Sequence, residues 1–179
     1  MSEHREPFLY VVVCAAGIAD GVSELISEAH AEGWQVGVIA TPNALALMDQ
    51  DAIEAQTGYP IRSGWRAPGA PKPLPPADAI AVAPATFNTV NKWAAGIADT
   101  LALGILCEAY GLGIPMAVQP YVNSALAAHP AYVESLARLR SMGVLISECV
   151  PHKPNSIVGR ETYKWTDVLA LLRPMKQSM

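Results

Sequence analysis

The sequence predicts one α/β domain in which a parallel sheet lies between layers of helices. Three observations point that way. Short β-branched or apolar runs alternate with helical stretches along the whole chain, which is the pattern of layered βαβ units. With 179 residues the chain has the length of one ordinary domain, enough to bury a core without disulfides or a structural metal. Hydrophobic residues make up 51% and charged residues only 16%, the reverse of a disordered chain's balance. Residues 1–179 are therefore read as a single domain.

The elements follow in order. Phe8 to Cys14 is a continuous β-branched and aromatic run, suited to a strand buried on both faces. From Val22 to Glu32, Val22, Leu25, Ile26 and Ala29 recur at helical spacing, and Gly33 ends the helix. Trp34 to Ala40 reads as the second strand. Thr41-Pro42-Asn43 is a turn, with Asn43 expected to cap a helix running towards Met48. Between Tyr59 and Pro76, six prolines (60, 68, 71, 73, 75 and 76) exclude regular helix, so a long ordered loop is expected there. Strand character resumes at Ala79 to Ala83. One long helix is expected over roughly Val90 to Tyr110, closed by Gly111 and Gly113. Pro115 to Gln119 is the next strand, Ala131 to Met142 a helix closed by Gly143, and Val144 to Ser147 a short last strand. Pro151 to Tyr163 is irregular, and Thr166 caps a final helix to about Leu172.

The composition also excludes functions. Twelve Lys+Arg against sixteen Asp+Glu give a formal charge of −4, and without a basic stripe nucleic-acid binding is disfavoured. Cys14, Cys107 and Cys149 are odd in number and widely spaced, which suggests neither a disulfide framework nor a zinc site, so no metal is expected. The apolar run after the acidic N-terminus is too short to span a membrane. A cytoplasmic protein with no membrane contact is the simplest expectation. High apolarity with few charges further suggests a surface covered by another subunit.

Open parallel sheets bind ligands beyond the carboxyl ends of their strands. The residues there are Ala15 to Ile18, Thr41 to Ala44, Pro84 to Thr89 and Pro120 to Asn123. Nearly all are small, hydroxylic or amide-bearing, a set that suits backbone amides and hydroxyls cradling a phosphate. Ala15 to Gly21 lacks the dinucleotide glycine spacing, and Ala40-Thr41 supplies no acid for a ribose hydroxyl, so NAD is disfavoured. No Walker loop is present. A mononucleotide such as FMN fits better, the plain alternative being ordinary tight turns.

Pro84-Ala85-Thr86-Phe87-Asn88-Thr89 and the helix after it, Lys92-Trp93-Ala94-Ala95-Gly96-Ile97-Ala98-Asp99, closely resemble the P-A-S-A-N-T motif and following helix of the homo-oligomeric flavin-containing cysteine decarboxylases. That family includes the phosphopantothenoylcysteine decarboxylases and the peptidyl-cysteine decarboxylases. The resemblance implies a flavodoxin-like Rossmann fold, a three-layer sandwich with noncovalent FMN, in trimers or assemblies of trimers with the flavin between neighbours. It places Gly17 and Ile18 against the cofactor, and Thr41 with Asn43 at its phosphate or ribityl end. Pro84, Ala85, Thr86, Asn88 and Thr89 line the flavin pocket. Asp99 joins the cofactor site near the subunit boundary, or is simply a helix-surface acid.

The family's P-x-M-N-x-x-M-W motif has its counterpart in Pro120-Tyr121-Val122-Asn123-Ser124-Ala125-Leu126-Ala127, retaining the proline and asparagine. By resemblance Asn123 is the catalytic residue that holds the substrate carboxylate, while Tyr121 and Val122 shape a different pocket. Asn123 also suits an N-cap, and the two roles are compatible. The family's His-Ile-x-Leu segment, which precedes an Ala-Asp pair, has no histidine here: Ala70 or Pro71 stands near its place, before Ala77-Asp78. Of the remaining histidines, His4 falls in an expected frayed terminus and His30 on a helix that looks like scaffold, while His129 and His152 are candidates to replace it, with structural roles as the plainer reading. Arg66 and Lys72 are weaker candidates for anion binding. Gly159-Arg160 resembles the end of the family's substrate clamp, so residues 151–163, Arg160 above all, are expected to close over substrate. No cysteine stands at the matching distance. Trp65 either anchors the proline-rich loop to the core or covers the flavin.

The expected function is FMN-dependent oxidative decarboxylation of a cysteine-type thiol, either a small molecule or a peptide ending in cysteine. The alternatives are a flavin-binding partner or regulatory subunit without catalysis, and a flavin prenyltransferase relative. Members of the last group carry Gly-x-Ser-Gly in the first turn, which Ala16-Gly17 does not provide.

Overall fold

The computed structural model describes residues 5–155 and 160–176. Five strands form one all-parallel sheet: β1 (Phe8–Val13), β2 (Gln35–Ala40), β3 (Ala79–Ala85), β4 (Met116–Pro120) and β5 (Leu145–Ile146). Their order is β2-β1-β3-β4-β5. This is the flavodoxin-like order, with its topological switch point between β1 and β3. The expected fold class is borne out.

Alternation along β1 explains the layers. Leu9, Val11 and Val13 face one core and Phe8 and Val12 the other, because successive strand side chains point to opposite faces. The first core is closed by α1 (Val22–Ala31), through Val22, Leu25, Ile26 and Ala29, and by α7 (Thr166–Lys176), through Val168, Leu169 and Leu172. Ile53 of α2 (Gln50–Thr57) joins it. The second is closed by Val90 and Trp93 of α3 (Phe87–Ala94), Leu103 and Leu106 of α4 (Leu101–Gly111), and Leu139 of α6 (Pro130–Ser141). Asp78 ties the start of β3 to β1: its carboxylate accepts from the Phe8 amide at 2.6 Å and from Arg5 at 2.7 Å.

Three sequence expectations are corrected. The single long helix is two, α3 and α4, because Gly96 turns left-handed (φ +73°) and Thr100 starts a new helix by accepting from the Leu103 amide at 3.3 Å. A cap of this kind is worth about 1 kcal/mol. Asn43 caps nothing: Thr41 opens a 3-10 helix over Pro42–Leu47 in which Asn43 is an interior residue. The helix that does follow is α2, capped by Asp49 on the Ala52 amide. Finally, the last helix runs on to Lys176.

Residues 59–76 contain no helix or strand, only an isolated bridge between Arg62 and Ile39. The loop is nonetheless held. The Tyr10 hydroxyl donates to the Pro75 carbonyl at 2.7 Å and Leu74 is buried. Trp65 lies on α4 at Gly104, where any Cβ would come within 2.5 Å of the indole.

Candidate functional site

Backbone hydrogen bonds beyond the ladders tie four strand ends together. The Thr41 amide donates to Val13, Cys14 to Pro84, and Tyr121 to Ala85, at 2.8 to 3.1 Å. The turns after β2, β1, β3 and β4 are thereby held side by side at the switch point, and two cavities open above them.

The larger, about 570 Å³, is walled by the first turn (Ala15 to Ile18), by Thr86 to Asn88, and by Tyr121 to Asn123, with Leu126, His152 and Arg160 closing it. The smaller, about 390 Å³, shares Ala15, Thr86 and Asn88 with it and adds Thr41, Asn43, Thr89, Lys92 and Thr100. Both volumes fall in the range of small-molecule sites. Cavities of comparable size lie under the proline-rich loop and, at the ends of β4 and β5, beside Cys149, but the first pair sits at the β1/β3 switch point where this fold places ligands.

Local structure fixes each side chain. Thr86 is the N-cap of α3, its hydroxyl accepting from the Thr89 amide at 3.3 Å and donating to the Thr89 hydroxyl at 3.1 Å. The first amides of α3 have no intrahelical partner and face the same end. Asn123 caps the short helix α5 (Ser124–Ala127) through Oδ1, which accepts from the Leu126 amide at 2.9 Å, so its Nδ2 donor is left over. Arg160 bridges to the first turn, with one guanidinium nitrogen 2.6 Å from Asp20 and 3.0 Å from the Gly17 carbonyl. Both partners are exposed, so water screens the pair heavily.

Of the residues singled out from the sequence, Gly17, Ile18, Thr41, Asn43, Thr86, Asn88, Thr89, Tyr121, Val122, Asn123 and Arg160 all line one of the two cavities. Three do not. Pro84 and Ala85 are buried in β3, where their carbonyls hold the neighbouring turns. Asp99 sits in the break between α3 and α4 rather than on a helix, and pairs with Lys92, which does line the smaller cavity. Ser156 to Gly159 of the expected clamp lie outside the described residues, as does His4. Phe87, Leu126 and Asp20 were missed; Phe87 stands within the hexapeptide and Leu126 three residues after Asn123, while Asp20 carries no signal in the sequence.

Among the described residues neither cavity has a carboxylate in its lining, while Arg160 and Lys92 each contribute a cation, paired with Asp20 and Asp99 outside it. Cys14 lies fully buried against Thr86 and Thr89; burial pushes its thiol pKa up, and the hydrogen bonds from those threonines only partly offset this.

A family model described as Flavoprotein matches residues 3–173. The chain belongs to the Flavoprotein family. Among its relatives, the coenzyme A biosynthesis bifunctional protein CoaBC of Mycobacterium tuberculosis is 31% identical over 158 residues, covering 83% of this chain and 36% of that protein. The chain thus spans about a third of the length of the curated relatives it matches. Among solved structures, a PPC decarboxylase mutant complexed with pantothenoylaminoethenethiol superposes with a TM-score of 0.78 at 19% identity, over 97% of this chain and 100% of that one. The FMN-dependent cysteine decarboxylase TvaF superposes with a TM-score of 0.78 at 20% identity, over 97% and 99%. At these identities the superpositions speak to fold. The resemblance to the flavin-containing cysteine decarboxylases read from the hexapeptide is borne out.

The donor set suits a flavin mononucleotide. The Thr41 hydroxyl and the Asn43 and Asn88 amides have no protein partner among the described residues, and a Cβ on Gly17 would meet nothing within 4 Å. Hydroxyls, amides and free helix N–H groups next to Lys92 match a phosphate and ribityl chain. Among the described residues no group of His, Cys, Asp and Glu is arranged to hold a metal, and no helix is long and apolar enough to cross a membrane.

Proposed function

We propose that this chain binds FMN across the two cavities and catalyses the oxidative decarboxylation of a cysteine-type thiol, either a small molecule or a peptide ending in cysteine. The observation that carries the reading is the convergence of Gly17, Thr86, Asn88, Tyr121, Asn123 and Arg160 on one cavity at the β1/β3 switch point. Thr41, Asn43, Thr86, Asn88 and Thr89 would hold the cofactor, with Lys92 kept in place by Asp99. Bound there, FMN supplies the two-electron acceptor that no side chain provides.

The chain's own residues do the rest. With Oδ1 committed to the Leu126 amide, Asn123 presents Nδ2 as a donor to the substrate carboxylate. Arg160, held by Asp20, adds positive charge on the same side. Phe87, Tyr121 and Leu126 give the cavity an apolar wall, which would strengthen both interactions where substrate displaces water. We further propose a homo-trimeric, cytoplasmic protein in which neighbouring copies complete the pocket.

The test is carbon dioxide release from a short peptide ending in cysteine by FMN-loaded protein. Asn123→Asp keeps the helix cap, since Asp caps as well as Asn, but replaces the donor with a negative charge. It is expected to lower turnover about 100-fold or more with the melting temperature unchanged. A second reading, a flavin-binding partner without catalysis, is favoured by the lack of a histidine between Gly69 and Pro76. It predicts bound FMN and no carbon dioxide from any cysteine-ended peptide.

A further inference from the structure

Among the described residues the larger cavity is lined by one imidazole. His152 lines it together with Tyr121, Asn123 and Arg160, and the first two of these help to hold it in place. Its backbone is bridged to the turn after β4: the His152 amide donates to Val122 at 3.2 Å, and the Ser124 amide donates to His152 at 2.8 Å. Its ring stacks on Tyr121, with centroids 4.6 Å apart and an interplanar angle of 27°. Tyr121 in turn meets Tyr163 edge-on, and Tyr163 meets Trp165. The His152 Nδ1 lies 3.0 Å from the Lys153 carbonyl. A carbonyl only accepts, so Nδ1 carries the hydrogen and the neutral ring has its lone pair on Nε2. Stacking and the Nδ1 bond together fix the plane and the tautomer, as a proton-transferring imidazole requires.

We propose that His152 is the proton carrier of this cavity, with Nε2 accepting the proton of the substrate thiol. The S–H bond breaks, an Nε2–H bond forms, and the S–H electron pair stays on sulfur as thiolate. The imidazolium later returns the proton to the sulfur of the decarboxylated product. The oxidant is the flavin of the proposed function, on which this assignment rests. The other ionisable groups in the cavity wall are Arg160, paired with Asp20, and the Tyr121 phenol; Lys153 adjoins His152 in sequence. With no carboxylate in that wall among the described residues, the imidazolium has the substrate's own anions as counter-charges.

The other described histidines are placed differently. His129 caps α6, its Nδ1 accepting from the Ala131 amide at 3.1 Å, and His30 is exposed on α1.

The test is an NMR titration of the imidazole resonances of FMN-loaded protein, with and without a short peptide ending in cysteine. The expected result is that the peptide moves the His152 titration midpoint and leaves that of His30 in place. His152→Gln is expected to keep the flavin, bind the peptide, lose about 100-fold in turnover and lose the neutral-pH limb of the rate profile. His30→Gln changes none of these. If the peptide binds with Asn123-dependent affinity while the His152 midpoint and the pH profile of His152→Gln stay unchanged, the assignment is overturned and the functional reading stands. If the peptide does not bind at all, the functional reading falls and the assignment falls with it.

Discussion

Cys14 sits beneath Thr86 and Thr89, so a buried thiol forms the underside of the candidate cofactor site. Burial raises its pKa above the ordinary 9.0, and does the same to Cys149. Tyr132 goes from 10.0 to about 12 for the same reason. In each case the fold favours the protonated form. The stability contributed by the thiols is therefore complete below pH 9.0 and declines as the pH rises towards their raised values; that of Tyr132 is complete below 10.0 and gone above about 12. Thermal midpoints should accordingly hold through neutral pH and fall from about pH 9 upward, with Cys14→Ala reducing the first part of the fall. A midpoint that stays flat across that range would contradict this account of burial. At this scale much of the site was legible in the sequence. Thr86, Asn88 and Asn123 belong to short motifs whose hydroxyls and amides announce themselves, and the structure gives Thr86 and Asn123 the caps that hold them in place. What was not legible is the pairing of residues distant in sequence. Nothing in the order of residues links Arg160 to Asp20, or His152 to Tyr121.

The strands were legible because each is an uninterrupted apolar run of the right length. The division between α3 and α4 was not, because helical spacing of apolar residues continues through Trp93, Ile97, Leu101 and Ile105. Gly96 ends the first helix and Thr100 begins the second, two local signals that periodicity outweighed. The proline-rich segment has no regular helix or strand, and Trp65, 67% exposed, rests on the outer face of α4 at Gly104 rather than in the core. Gly104 gives a clean test of that contact. Alanine in a helix interior is favoured over glycine by up to about 1 kcal/mol, yet a Cβ at Gly104 would collide with the indole. Gly104→Ala should therefore keep or raise the melting temperature while Trp65 leaves its seat. The readouts are a Trp65-dependent shift in fluorescence, referenced to Trp65→Phe, and faster proteolysis between residues 59 and 76. Unchanged emission and proteolysis would show that the loop is held without that contact.

For the whole molecule, sheet order decides where chemistry is possible. A β2-β1-β3-β4-β5 sheet parts its loops at the β1/β3 boundary, and there the chain places hydroxyls and amides without protein partners among the described residues, beside two cations each paired with a carboxylate outside the cavity linings. The C-terminal segment completes the arrangement. Tyr163 donates to the Gln119 carbonyl at 3.1 Å, and Arg160 reaches back to the first turn, so chain from both ends of the sequence frames one cavity. The central claim is that this frame holds FMN. The most direct measurement is the visible absorbance spectrum of the purified protein, with the released cofactor identified by mass. The account predicts a yellow protein that releases FMN and that loses the colour when Thr86 and Asn88 are both replaced by alanine. A colourless protein that also refuses added FMN would contradict it.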